Sequence, residues 1–350
     1  MKRRLLAILF VAQLVPAALL VPAALLAQGP AVLRGVDVYR SAVLDTEKLH
    51  GSRGPLLDSI ADAVAAQDME ALGERLGTLG RWVRSQGRFA FIDLSPIQYF
   101  ENDTTVWYLT VDVVDSTDLA RLDFDPAPTG QVTGAEDLLE AWRSFEVAGW
   151  ERRAFWSPGD ACPAHHCLFS FQDPELAPFA GKLRAGAEER FDVLSRLLRE
   201  DADAEDRATA AFVLAHHPER DRVVRHMVDR MRDPSSLVRN NATRVLAFLA
   251  QHGDPGTLPV APFLRLMDGP TTTDRNKALV VLEALAGDEE VRALLRAQAS
   301  ARLVELLALR QPNNHGYAYA ILKRISGEDY GESDLAAWRQ WAIRVEGRGQ

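Results

Sequence analysis

Asp201–His217, DADAEDRATAAFVLAHH, and Asp233–Ala250, DPSSLVRNNATRVLAFLA, are the two stretches from which the fold is read. In each, an Asp precedes an Arg by six positions, an Ala follows that Arg by three and a Leu follows it by seven. The register continues at Arg275, Ala278 and Leu282, and again at His315, Ala318 and Leu322, giving spacings of 32, 36 and 40 residues. Ala and Leu about one turn apart fall on one face of a helix, where Ala permits a close crossing and Leu fills the gap beside it. Each of these helices follows another amphipathic segment, as in ERFDVLSRLL (189–198) and DRVVRHMVDRM (221–231). The pattern predicts stacked helical hairpins, which bury their apolar faces only against their neighbours.

This register resembles that of HEAT repeats. Asp201 with Arg207 and Asp233 with Arg239 match the Asp and Arg that form a ladder between successive HEAT units, and Arg275 continues the Arg column. The third unit departs, with Gly269 at the Asp position and Asp268 one residue early, and the fourth has Leu309 and His315. The resemblance covers residues 187 to about 327, and a helix over Ser333–Val345 bearing Trp338 and Trp341 reads as a terminal cap to 187–345. It implies a solenoid that binds a partner along its second helices. On that face Thr209, Asn241, Lys277 and Tyr317 share one position outside the Ala/Leu stripe, and Arg244 shares another with Phe212, Val280 and Ala320. Thr209, Asn241, Arg244, Lys277 and Tyr317 are the expected partner-binding residues; an ordinary solvated helix surface is the alternative.

The N-terminal half reads differently. A strand is expected at Val36–Tyr39, helices at Pro55–Ala66 and Met69–Ser85, and a hairpin from FAFIDLSPIQYF (89–100) and TVWYLTVDVVD (105–115) around Glu101–Thr104. The alternation of apolar and polar residues is that of half-buried strands. The order β-α-α-β-β over 32–118, with Gly87 before Phe89 and Phe91, resembles a POTRA domain, which implies an exposed sheet edge able to accept a partner strand. An unrelated α+β domain of the same order is the alternative. The expected fold class is an α+β N-terminal module followed by an all-α HEAT-like solenoid, predominantly helical, with a linker over 119–186 carrying one helix, AEDLLEAWRSFEV, and a cysteine loop.

Outward from these elements, residues 1–27 combine Lys2, Arg3 and Arg4 with an apolar run, LLAILFVAQLVPAALLVPAALLA, whose only polar side chain is Gln13. That is the pattern of a secretory signal cleaved after Ala27, placing the protein in the bacterial periplasm or outside the cell. An uncleaved inner-membrane anchor is the alternative; with cleavage no stable membrane insertion is expected. Net charge is −9, against general nucleic-acid binding. The excess is local: 181–350 holds 25 residues of each sign, whereas 91–140 carries eleven acidic residues and one basic, so any basic partner is expected at the N-terminal half.

Cys162 and Cys167, in SPGDACPAHHCLFSF (157–171), are the only cysteines, and in an exported chain they read as a local disulfide. A zinc site from Cys162, Cys167 and His165, with Asp160 as fourth ligand, is the alternative, as part of a metal-binding or redox protein. Nucleophile elbow, Walker loop, H-E-x-x-H and G-x-G-x-x-G motifs are all missing from the sequence. His216 and His217 end a repeat helix and read as structural, and Asp112, Asp115 and Asp118 at a strand end read as solvated. The expectation is a non-catalytic protein-interaction scaffold with no cofactor, whose partner is another protein of the cell envelope.

Overall fold

A computed structural model of the chain describes residues 30–253 and 258–346. The segment read as an export signal lies outside the described residues. The N-terminal module has the expected order: β1 (Ala31–Tyr39), α1 (Thr46–Ala65), α2 (Met69–Ser85), β2 (Phe89–Glu101) and β3 (Thr104–Asp115). The sheet order is β1-β3-β2, with β3 parallel to β1 and antiparallel to β2. Asn102 and Asp103 make the hairpin turn, Asn102 in the left-handed region at φ 55, which Asn tolerates. The first helix starts earlier than Pro55 because Asp45 caps it, accepting from Lys48 N. It kinks at Arg53, just before Pro55 removes a helical N–H.

Helices α1 and α2 cover one face of the sheet, setting Leu57, Ile60, Leu79 and Val83 against Leu109, Val111 and Val113. The other face was expected to meet water. Instead every residue of β3 after Thr104 is buried, including Thr110 and Asp112. The helical array packs there, so the alternation of β3 records two different buried faces.

That array comprises α3 (Glu136–Arg152), α4 (Ala177–Glu189), α5 (Phe191–Glu200), α6 (Ala204–Leu214), α7 (Arg220–Asp229), α8 (Ser236–His252), α9 (Val260–Leu266), α10 (Thr272–Leu285), α11 (Glu289–Gln298), α12 (Ser300–Leu307), α13 (Pro312–Ser326) and α14 (Leu335–Glu346). Helices α6, α8, α10 and α13 lie side by side in sequence order. Their register residues Ala210, Ala242, Ala278 and Ala318, and Leu214, Leu246, Leu282 and Leu322, are all 0% exposed. Trp338 and Trp341 of α14 are buried, and α14 closes the end by packing on α12.

The Asp and Arg columns pair one unit out of step with the simplest reading. Arg207 holds Asp233 through two bonds of 3.1 and 2.8 Å, so each Arg reaches the Asp of the following unit. Asp201, first in the column, instead accepts from Val132 N and Asp203 N. At the third unit the carboxylate comes from Asp274 rather than Asp268 or Gly269: Arg239 bonds both its oxygens at 2.9 and 2.8 Å. Asp274 sits in the first turn of α10, close enough to stand where the missing Asp would be. Arg275 then donates to Asn314 Oδ1 at 3.1 Å and to Asp112 Oδ1 of β3 at 2.6 Å. The sheet thus supplies the last carboxylate of the ladder.

The segment expected as a linker runs along this ladder. Phe124 lies under the Arg239 guanidinium at 4.0 Å, and Asp125 N donates to Arg232 O at 2.8 Å. Gly130 N donates to Glu200 O at 3.0 Å. A Cβ at Gly130 would stand 2.6 Å from that carbonyl oxygen, so only glycine permits the approach. The chain then turns into α3, which packs beside α6 as an added layer.

Candidate functional site

Beyond α3 the chain forms an irregular hairpin. Trp156 N donates to Leu168 O at 3.1 Å and Ser170 N to Ala154 O at 2.7 Å. Phe169 sits against Gly149 of α3, where an added Cβ would lie 2.4 Å from the ring. The tip is closed by the Cys162–Cys167 disulfide, with Cα atoms 5.8 Å apart. The tip is also fastened to the array: His165 N donates to Ala215 O at 2.8 Å, and the His166 ring stacks on Phe212 of α6 with centroids 4.9 Å apart. With both sulfurs in one bond, His165 and Asp160 have no thiolates beside them; Asp160 accepts from Ser157 N at 3.1 Å. Among the described residues no group of three or more His, Cys, Asp or Glu is placed to hold a metal.

Between this hairpin and the second helices opens a cleft of about 350 Å³. The hairpin contributes Phe155, Trp156, His166, Cys167 and Leu168; α8 contributes Arg244, Phe248 and Gln251; α10 contributes Asn276, Lys277 and Val280; α13 contributes Asn313 and Tyr317. Trp156 meets Phe248 edge-on at 5.0 Å and His252 at 4.8 Å, fixing the aromatic wall. Three of the five expected partner-binding residues, Arg244, Lys277 and Tyr317, therefore meet in one place. Thr209 and Asn241 do not. Both are buried between neighbouring helices, and Asn241 Nδ2 is spent on the Ala208 carbonyl at 3.1 Å. The register that exposes a side chain at the open end of the array buries it where α3 and the hairpin cover α6.

Two cations set the electrostatics. Arg244 and Lys277 are half-buried. Burial, with the neighbouring Arg244 charge second, lowers the Lys277 ammonium to about 7. Burial also lowers Arg244, opposed by the charge of Glu146 on α3. Burial raises Glu146 itself to about 6. His166 is held well below its usual range by burial and stays neutral. The lining has no serine or threonine, and its one cysteine is in the disulfide. The cleft offers positive charge, amide groups and aromatic faces.

Sequence reasoning missed the aromatic wall. Phe155 and Trp156 carry no periodic signal, because an irregular segment has no repeat from which to read a direction. The only cue was that Trp156 precedes the cysteine pair.

No protein-family model matches the chain, and no curated protein matches it.

Proposed function

We propose that the protein is an exported, non-catalytic protein-interaction scaffold, its HEAT-like array and POTRA-like module fastened into one body and its partner bound at the cleft between the disulfide hairpin and α8, α10 and α13. The observation that carries this reading is the convergence of Arg244, Lys277 and Tyr317, singled out by repeat register, with a separate aromatic wall held by the disulfide. A concave surface of positive charge and aromatic side chains is the composition of a recognition site. The basic, apolar run at residues 2–27 and the disulfide support a periplasmic or secreted location. Among the described residues no helix is long and apolar enough to cross a membrane.

The test is recovery of a partner from native envelope extract by the full chain. An Arg244→Ala/Lys277→Ala protein is expected to lose a partner that wild type and an Arg196→Ala control on α5 both retain. Equal recovery by all three would reject the cleft.

A further inference from the structure

Three buried arginines are matched to carboxylates, Arg207 to Asp233, Arg239 to Asp274 and Arg275 to Asp112, and a fourth, Arg121, donates to the carbonyls of Arg40, Val113 and Asp268. The cleft departs from both arrangements. Among the described residues Lys277 Nζ bonds only the Asn276 amide oxygen, at 2.8 Å, and Arg244 has no hydrogen bond or ion pair within 4.0 Å. Two half-desolvated cations from adjacent helices without a contacting anion are costly to fold, and they face the one cleft that also has an aromatic wall.

Resting on the reading of this cleft as the binding surface, we infer that it takes a carboxylate carried next to an aromatic or aliphatic group, the carboxylate seated between Arg244 and Lys277 and its neighbour against Trp156, Phe248 and Val280. A guanidinium matches a carboxylate through two parallel hydrogen bonds, and the ammonium adds a point charge beside it. One negative charge suits the pair better than a phosphate dianion, because the helix N-terminus that the lining reaches, at Asn313 of α13, has its backbone N–H groups spent: Asn313 N donates to Tyr99 Oη at 3.2 Å and Asn314 N to Gln311 Oε1 at 2.9 Å. The other titratable groups around the pair do not replace the ligand. Glu146 on α3 is the carboxylate whose charge Arg244 feels, but makes no contact within 4.0 Å; His166 on the hairpin and His216 after α6 are neutral through burial; His252 of α8 is lowered by burial; and Tyr317 of α13 is raised by it. A bound carboxylate favours protonated Lys277, so binding takes up a proton and weakens as pH rises above about 7.

Calorimetry and tryptophan fluorescence of the full chain test this with 3-phenylpropionate against its neutral amide, with acetyl-Phe-Asp-amide against acetyl-Phe-Asn-amide, and with inorganic phosphate. Each carboxylate is expected to bind about tenfold or more tightly than its amide. Arg244→Gln is expected to remove that preference. Lys277→Gln is expected to abolish the weakening between pH 6 and 8, while Lys277→Arg keeps binding and loses the pH dependence, which separates a direct role from a folding defect. Amides that bind as well as acids, variants that bind unchanged, or phosphate binding more tightly than both carboxylates would overturn the inference. Binding of the free acid with exclusion of the peptide supports the carboxylate and rejects the protein-partner reading; partner capture at the cleft without carboxylate preference does the reverse.

Discussion

Arg275 and Asp112 are fully buried, 163 positions apart in sequence and 2.6 Å apart in space. Asp112 also accepts from Thr272 N and Oγ1 at 2.8 and 2.9 Å, and Tyr39 lies under the same guanidinium at 3.8 Å. Removing one member strands the other charge in the interior, which costs about 3–5 kcal/mol. Asp112→Ala is therefore expected to lower the free energy of unfolding by that amount in denaturant titration, and Asp112→Asn, which keeps an acceptor, by less. Sequence cannot show such a pair, because the two residues belong to different periodic patterns. His216 is legible as a helix-end residue, but its burial depends on Trp142 of α3 and Phe171 of the hairpin. Both its ring nitrogens lack partners among the described residues, and burial lowers it from 6.5 to about 3. Above pH 6.5 neither folded nor unfolded chain is protonated at this ring. Below 6.5 the unfolded chain takes up a proton that the folded chain refuses, so stability falls progressively down to about pH 3. His165 and His166, lowered by burial, act in the same direction. Glu146, raised from 4.5 to about 6, opposes them in part between those values. Tm is expected to drop from pH 7.5 to pH 5, and His216→Phe to reduce that drop; a Tm independent of pH in both proteins would refute the assignment.

At the scale of elements, the repeat helices were legible because Ala and Leu recur at fixed distances from Arg, and the strands because Thr105–Asp115 alternates. Helix α4 is not legible in the sequence. Its sequence buries only Leu183, Gly186 and Ala187, too few large side chains to set a period. The disulfide hairpin was legible only as a cysteine pair. Its consequence, an aromatic wall facing α8 and α10, comes from tertiary contacts of Trp156 and His166. Closing so short a loop stabilises the fold by about 2 kcal/mol in the chain-entropy model. Cys162→Ser/Cys167→Ser is therefore expected to lower Tm by only a few degrees, while weakening binding at the cleft by about tenfold as the wall loses its fixed position. Thermal unfolding and binding measured on the same samples check this; equal affinity with and without the disulfide would show that the wall needs no staple.

For the whole molecule, the charge asymmetry read from the sequence is met in part by internal pairs. Asp112 is held by Arg275, Asp123 and Asp125 by Arg232, and Asp37 accepts from Arg310 N at 2.7 Å. Arginines of the chain's own array thus neutralise part of the acidic excess at 91–140. Tyr99 adds a further tie, its hydroxyl accepting from Gln311 Nε2 at 3.0 Å. Sheet and helices share buried bonds, so the full chain is expected to unfold in one calorimetric transition, and two separated transitions would show that the docking is weak. The proposed binding belongs to the folded whole, since the cleft needs the hairpin after α3 and three repeat helices at once. The most direct test places a photoreactive side chain at Gln251, in the cleft, or at Arg196, on the outer surface of α5, and irradiates the full chain in native envelope extract. The account predicts a discrete adduct from Gln251 and none from Arg196; adducts from Arg196 alone would contradict it.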